Sequence, residues 1–127
     1  MNLPDELKYA ATHEWARQEM DGCLTIGITD YAQDLLGDLV FAQLPAVGQK
    51  VAANAPICVL ESVKTASDVH APVSGVIAAI NTDLQDTPEQ VNQDSYAAWL
   101  FRVTPDNAAD FSALLNAAQY KATIDAG

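Results

Sequence analysis

Leu60-Glu61-Ser62-Val63-Lys64-Thr65-Ala66-Ser67-Asp68 is a short polar segment with a single lysine at its centre, framed by the apolar runs Ile57-Cys58-Val59-Leu60 and Gly75-Val76-Ile77-Ala78-Ala79-Ile80. Continuous apolar runs of this length, marked off by Gly, Pro, Asn and Asp, read as strands buried on both faces. The framing predicts a lysine-bearing hairpin over about residues 57–80, with Lys64 at its tip.

Outward from it, short apolar runs separated by turn residues fill residues 8–81, so the domain is expected to be mostly β. Met20-Asp21-Gly22 suits a type I′ hairpin between the strand carrying Trp15 and Arg17 and the run Cys23-Leu24-Thr25-Ile26-Gly27-Ile28. Leu39-Val40-Phe41-Ala42-Gln43-Leu44 is a further strand leading into Pro45. Three helices break the pattern. The first is Asp30 to Leu36, capped by Thr29 or Asp30 and stopped in the left-handed region by Gly37, with Ala32, Leu35 and Leu36 as its apolar stripe. The second is very short and starts at Thr87-Pro88, with Thr87 as cap and Gln90 closing a capping box. The third is a C-terminal helix over about 107–120, packed on the sheets through Ala108, Phe111, Leu114, Leu115 and Ala118.

The chain has 127 residues and half of them are hydrophobic, enough for one domain with a real core. Its 6 Lys and Arg against 17 Asp and Glu leave a net charge of −11. That excludes nucleic acid, whose phosphates need clustered cations, and favours partners with basic surfaces. Cys23 and Cys58 lie in apolar runs without metal or redox spacing, so two buried free thiols are expected. No apolar stretch approaches a membrane span and no basic leader precedes Lys8, so the expectation is a cytoplasmic protein with no membrane partner.

A conventional active site is hard to build from these residues. The two histidines, His13 and His70, have no companions at metal-ligand spacing, and there is no phosphate loop or serine elbow. No catalytic residue and no metal are expected; His13 either packs or lines a site, and His70 packs. A lysine in a turn is ordinarily a solvated charge. Lys64, however, is one of four lysines and has Glu61 and Asp68 three and four residues away. Carboxylates stabilise the ammonium, the reverse of what a Schiff-base or general-base lysine requires. At an ordinary pKa only about 0.04% of the amine is neutral at pH 7, so acylation needs an external enzyme that binds the hairpin. The segment reads as a substrate for modification.

Tyr9-Ala10-Ala11-Thr12-His13-Glu14-Trp15, Gly27-Ile28-Thr29-Asp30-Tyr31-Ala32-Gln33, Leu36-Gly37-Asp38, Leu44-Pro45 with Gly48, Glu61-Ser62-Val63-Lys64, Ser67-Asp68, Ala71-Pro72-Val73-Ser74-Gly75, and Tyr96 with Trp99-Leu100 follow one another in an order that resembles the H proteins of the glycine cleavage system. The resemblance covers nearly the whole chain. It implies the barrel-sandwich hybrid fold of lipoyl and biotinyl carriers, a lipoate amide-linked to Lys64, and Glu61, Ser62, Val63, Ser67 and Asp68 as its recognition context. The lysine context separates the relatives, because biotin carriers resemble Met-Lys-Met and the lipoyl domains of 2-oxo acid dehydrogenases resemble Asp-Lys-Ala. Ser95-Tyr96-Ala97-Ala98-Trp99 departs from the family's Pro-Tyr-Gly-x-Gly-Trp, and Asn54 stands where a turn glycine is common, in a left-handed position that Asn tolerates.

The implied role is a non-catalytic shuttle. It takes an aminomethyl group from glycine decarboxylase (the P protein) to aminomethyltransferase (the T protein) and electrons to dihydrolipoyl dehydrogenase (the L protein). A lipoate ligase or octanoyltransferase with lipoyl synthase would install the arm. A different class of role for the same lysine is a relay that donates octanoyl or lipoyl groups to other lipoyl-dependent enzymes. An exposed S-aminomethyl group breaks down in water, so a cleft must shelter it. Thr12, Glu14 and Asp68 are the expected lining, because a hydroxyl and carboxylates suit a partly desolvated alkylammonium.

Overall fold

The computed structural model describes residues 2–126. Among the described residues, nine strands form two antiparallel sheets. β1 (Lys8–Tyr9), β2 (Glu14–Gln18), β3 (Leu24–Ile28), β9 (Phe101–Pro105), β8 (Gly75–Ile80) and β5 (Lys50–Val51) make one sheet in the spatial order β1-β2-β3-β9-β8-β5. β4 (Leu39–Gln43), β6 (Pro56–Ser62) and β7 (Ala66–His70) make the other, in the order β4-β6-β7. The sheets face each other over one core, to which Leu24, Ile26, Leu60, Ile77, Phe101 and Val103 contribute fully buried side chains. This is the mostly β domain the strand pattern predicts.

The strands are less buried than expected. In β6, Cys58 and Leu60 are buried while the alternate positions Ile57 and Val59 are half-buried, and β8 begins with the same alternation. Each has one face on the core, as antiparallel sheets do, because the partner layer covers only that side. The hairpin itself is also shorter than 57–80. It comprises β6 and β7, paired Val59↔Asp68, Leu60↔Ser67 and Glu61↔Ala66, whereas β8 belongs to the opposite sheet. The Met20-Asp21-Gly22 turn is not type I′: only Gly22 has positive φ, at 89°. Gly22 N–H donates to Glu19 O and Glu19 N–H to Cys23 O, the pattern of a three-residue loop closed by glycine.

The first helix, α1 (Asp30–Leu36), has the expected bounds. Thr29 caps it by accepting from Ala32 N–H at 3.2 Å, and Gly37 ends it at φ 81° and ψ −161°, a region that glycine alone occupies readily. Leu35 does not belong to its buried stripe: it is 55% exposed, and Ala32 and Leu36 make the core contact. Thr87 does not open the second helix. It terminates a one-turn helix, α2 (Asp83–Asp86), by donating its hydroxyl to Asp83 O, and a separate turn, α3 (Gln90–Gln93), follows.

The C-terminal helix lies later than 107–120. Asn107 caps a 3-10 turn at Ala108–Asp110, the chain then runs irregularly to an antiparallel bridge between Leu115 and Tyr9, and α4 occupies Ala117–Ala126. The start is set by a reciprocal capping box: Gln119 N–H donates to Asn116 Oδ1 at 2.8 Å and Asn116 N–H to Gln119 Oε1 at 2.9 Å. Of the predicted stripe, Ala108 and Ala118 are exposed. The buried residues of α4 are Ala117 and Tyr120, in a second apolar cluster with Leu7, Tyr9 and Trp15. Tyr9 and Tyr120 stack with ring centroids 4.9 Å apart. Asn54 has the expected positive φ, 71°. Both cysteines are free; Cys58 is buried, but Cys23 is only half-buried, with Sγ 3.4 Å from Thr104 Oγ1.

Candidate functional site

The lysine sits in the four-residue turn Ser62-Val63-Lys64-Thr65 between β6 and β7. Ser62 organises that turn from within: Ser62 N–H donates to Thr65 O at 2.7 Å, and Ser62 Oγ lies 3.3 and 3.1 Å from the N–H groups of Lys64 and Thr65. A buried hydroxyl at the turn's base holds the backbone and leaves the tip free. Val63 N–H donates to Asp38 O at 3.0 Å, which ties the tip to the segment leaving α1. Val63 and Lys64 are exposed, Val63 by 70%.

The lysine side chain runs back over Gly37. A Cβ placed on Gly37 would stand 3.2 Å from Lys64 Cε and 3.7 Å from Nζ, so glycine leaves room for the stem as well as supplying the positive φ that ends α1. Among the described residues, Lys64 Nζ enters no ion pair. Glu61 and Asp68 flank it as exposed carboxylates.

Beside the hairpin lies a cleft of ≈ 110 Å³ between β2, α1 and β7. Thr12 and Glu14 form one wall, Leu35 and Leu36 of α1 another, and Ser67 and Asp68 of β7 a third. The structure thus brings Thr12, Glu14 and Asp68 together, from positions more than fifty residues apart in the chain. Ser67 and Asp68 stand three and four residues from Lys64 in the chain, and Leu36 adjoins the Gly37 seat of its stem.

Glu14 is the unusual member, with 1% of its surface exposed. Its two oxygens are spoken for: Thr12 Oγ1 donates to Oε1, and His70 N–H donates to Oε2 at 2.9 Å. His70 Nδ1 approaches the same Oε2 at 3.5 Å and is buried with no closer partner among the described residues. Burial pushes the Glu14 carboxyl above the usual range; the hydrogen bonds from His70 N–H and Thr12 pull the other way and do not overcome it. His70 therefore packs, as expected, but through its backbone it also holds a cleft carboxylate.

His13 both packs and lines the cleft. Its backbone adopts φ 79°, a left-handed position that histidine tolerates better than most residues. Its Nδ1 is 2.7 Å from the hydroxyl of Tyr120, and burial lowers its pKa. No sequence signal links His13 to a residue 107 positions away on another element. The apolar lining from α1 and the seat at Gly37 were equally invisible, since both depend on how the helix packs against the hairpin. At the altered segment, Asp94 Oδ1 accepts from the N–H groups of Tyr96 and Ala97, and Ser95 O accepts from Trp15 Nε1 at 3.0 Å. That turn closes without the family's proline and glycines.

The described residues contain no group of three or more His, Cys, Asp or Glu placed to hold a metal ion, and no helix long and apolar enough to cross a membrane. What stands out is a presented amine next to a small, partly acidic cleft.

The crystal structure of a glycine cleavage system H protein from Mycobacterium marinum superposes with a TM-score of 0.87 at 39% identity, covering 97% of this chain and 99% of that one. The glycine cleavage system H protein of Psychrobacter cryohalolentis is 58% identical over 121 residues, 94% of this chain and 96% of the relative. That of Aromatoleum aromaticum is 56% identical over 123 residues, with 97% and 96% covered. The fold is accordingly the barrel-sandwich carrier fold, with its sheets not closed into a barrel. A family model described as glycine cleavage H-protein matches residues 7–127, and with that span and those identities the chain belongs to the glycine cleavage H-protein family.

Proposed function

We propose that this chain is the lipoyl-bearing shuttle of the glycine cleavage system, a cytoplasmic, non-catalytic carrier whose attachment site is Lys64. It would carry the aminomethyl group from glycine decarboxylase to aminomethyltransferase and electrons to dihydrolipoyl dehydrogenase, after a lipoate ligase, or an octanoyltransferase with lipoyl synthase, has modified it. The observation that carries the reading is the presentation of Lys64: an exposed side chain at a tip fixed by Ser62, over a glycine that makes room for its stem.

The residues fit an amide-linked arm. Acylation removes the ammonium charge, and among the described residues no ion pair has to be broken to do so. When bound, lipoate supplies a two-electron thiol/disulfide couple. The chain's own work is to present and to shelter. Ser62 holds the turn, Glu61, Val63, Ser67 and Asp68 form the surface that a modifying enzyme meets, and Thr12, Glu14 and Asp68 offer a hydroxyl and carboxylates to a cationic amine in the cleft.

Intact-mass measurement after incubation with a lipoate ligase, lipoate and ATP tests the attachment site. One lipoyl increment is expected on the parent chain and none on Lys64→Ala. An increment that survives in Lys64→Ala overturns the site. For the cleft, the methylamine-loaded form of Glu14→Ala should release formaldehyde and ammonia faster than the parent, and an equal rate overturns the sheltering role. Because Glu14→Ala also strips an acceptor from His70 N–H and Thr12, a stability loss of about 1–3 kcal/mol is expected alongside. Decay is therefore compared well below the unfolding transition.

A further inference from the structure

The hydroxyl of Tyr120 on α4 stands between two partners, His13 Nδ1 at 2.7 Å and Thr29 Oγ1 at 2.8 Å. Tyr120 and Thr29 are both fully buried, so each of their polar hydrogens needs a partner inside the protein. Thr29 Oγ1 already accepts from Ala32 N–H as the cap of α1. Only one direction of donation then satisfies every group. Thr29 donates to Tyr120, Tyr120 donates to His13 Nδ1, and the imidazole carries its hydrogen on Nε2. In the reverse direction His13 Nδ1–H would donate to Tyr120 and Tyr120 to Thr29, leaving the Thr29 hydroxyl hydrogen with no acceptor among the described residues.

The same wiring resists protonation. A proton added at Nδ1 would turn the Tyr120 hydroxyl around and orphan Thr29, a cost of the kind paid by any buried unsatisfied donor. Burial of the imidazole acts in the same direction, and burial also lifts the Tyr120 hydroxyl to about 12, which keeps it a donor. The charged and titratable groups around His13 are Glu14 from β2, with His70 behind it, Asp68 from β7, Tyr31 from α1 at 5.1 Å between ring centroids, and Tyr120 from α4. The β3 and remaining α1 contributions to the cleft, Ile28, Ala32, Leu35 and Leu36, are apolar.

We propose that Tyr120 and Thr29 are positioning residues that hold His13 as the neutral Nε2–H tautomer, so that Glu14 and Asp68 set the charge of the cleft and it takes a cationic amine beside an uncharged donor. An imidazolium at His13 would compete with that amine for the same carboxylates. The charge consequence rests on the sheltering role given to the cleft above; the tautomer does not.

Long-range 15N–1H correlation spectra of histidine-labelled, unmodified protein carrying His70→Gln read the tautomer of His13 directly. An unprotonated Nδ1 and a protonated Nε2 are expected, and the pattern should persist to a pH at which a free imidazole, with a pKa near ~6.5, is largely cationic. Tyr120→Phe keeps the ring stacked on Tyr9 and should release His13 to a tautomer mixture that titrates closer to free histidine. Thr29→Val should do the same and Thr29→Ser should restore the parent pattern, which decides the matter if Tyr120→Phe does not fold. A protonated Nδ1 in the parent, or a tautomer that none of these changes moves, overturns the wiring. For the charge consequence, decay of the methylamine-loaded form of Tyr120→Phe should rise about threefold to tenfold at pH 6, the effect of one ordinary hydrogen bond, and less at pH 8. If Glu14→Ala alters decay and Tyr120→Phe does not, the charge consequence falls while the sheltering role stands; if neither alters it, the sheltering role fails and takes that consequence with it.

Discussion

Glu14 places a carboxylate where almost no water reaches it, and its behaviour with pH follows from that position. Its pKa in the folded chain is raised from an ordinary 4.5 because burial disfavours the anion more than the donors from His70 and Thr12 favour it. A raised carboxyl contributes stability that is complete below the unfolded value and is lost as pH rises through the folded value. In Glu14→Gln that loss is absent, so the stability of the parent relative to Glu14→Gln should decline from about pH 4.5 upward; urea unfolding at a series of pH values reads it, and a constant difference would contradict the raised pKa. At this scale the sequence was informative about residue types and silent about partners. Thr12, Glu14 and Asp68 are expected together because a hydroxyl and carboxylates suit an alkylammonium, and all three line one cleft. The backbone of His70 and the hydroxyl of Tyr120, which hold Glu14 and His13 in place, carry no such mark, because one acts through an amide and the other from the far end of the chain.

Elements that close on themselves were legible, and elements that depend on a distant surface were not. The lysine hairpin and α1 are both specified locally, by Ser62 beneath a four-residue turn and by Thr29 and Gly37 at either end of seven helical residues. The C-terminal helix lies later than its apolar spacing suggests because Ala108–Leu115 forms a 3-10 turn and further turns that end in a single bridge from Leu115 to Tyr9, while the true start is written in Asn116 and Gln119. The turn geometry also decides where the proposed acyl acceptor can stand. Exchanging the two tip residues, Val63→Lys with Lys64→Val, moves the amine to the neighbouring turn position and off the stem seat at Gly37. Lipoylation by the ligase should fall below detection in intact-mass spectra, and full modification of the exchanged hairpin would count against presentation by register.

Across the whole molecule, a net charge of −11 is spread over a surface that, in the proposed role, would meet several enzymes in turn. Charge-steered encounters suit such a shuttle better than a large apolar interface, since they speed association without lengthening the complex. Turnover in a system reconstituted with this chain should therefore fall between low and high salt through a higher apparent Michaelis constant for it, by roughly tenfold if steering dominates the on-rate; a constant unaffected by salt contradicts steering. The large sheet has one further consequence, for the order in which the protein is made. β3 finds its neighbour β9 across the chain, with Thr25 and Arg102 in contact 77 residues apart, whereas β6 and β7 meet over a single turn. Loop closure makes the distant pairing the slow one. On a translating ribosome, the N-terminal strands wait for β9 to emerge before their sheet is complete, while the hairpin that bears Lys64 already has every residue it needs.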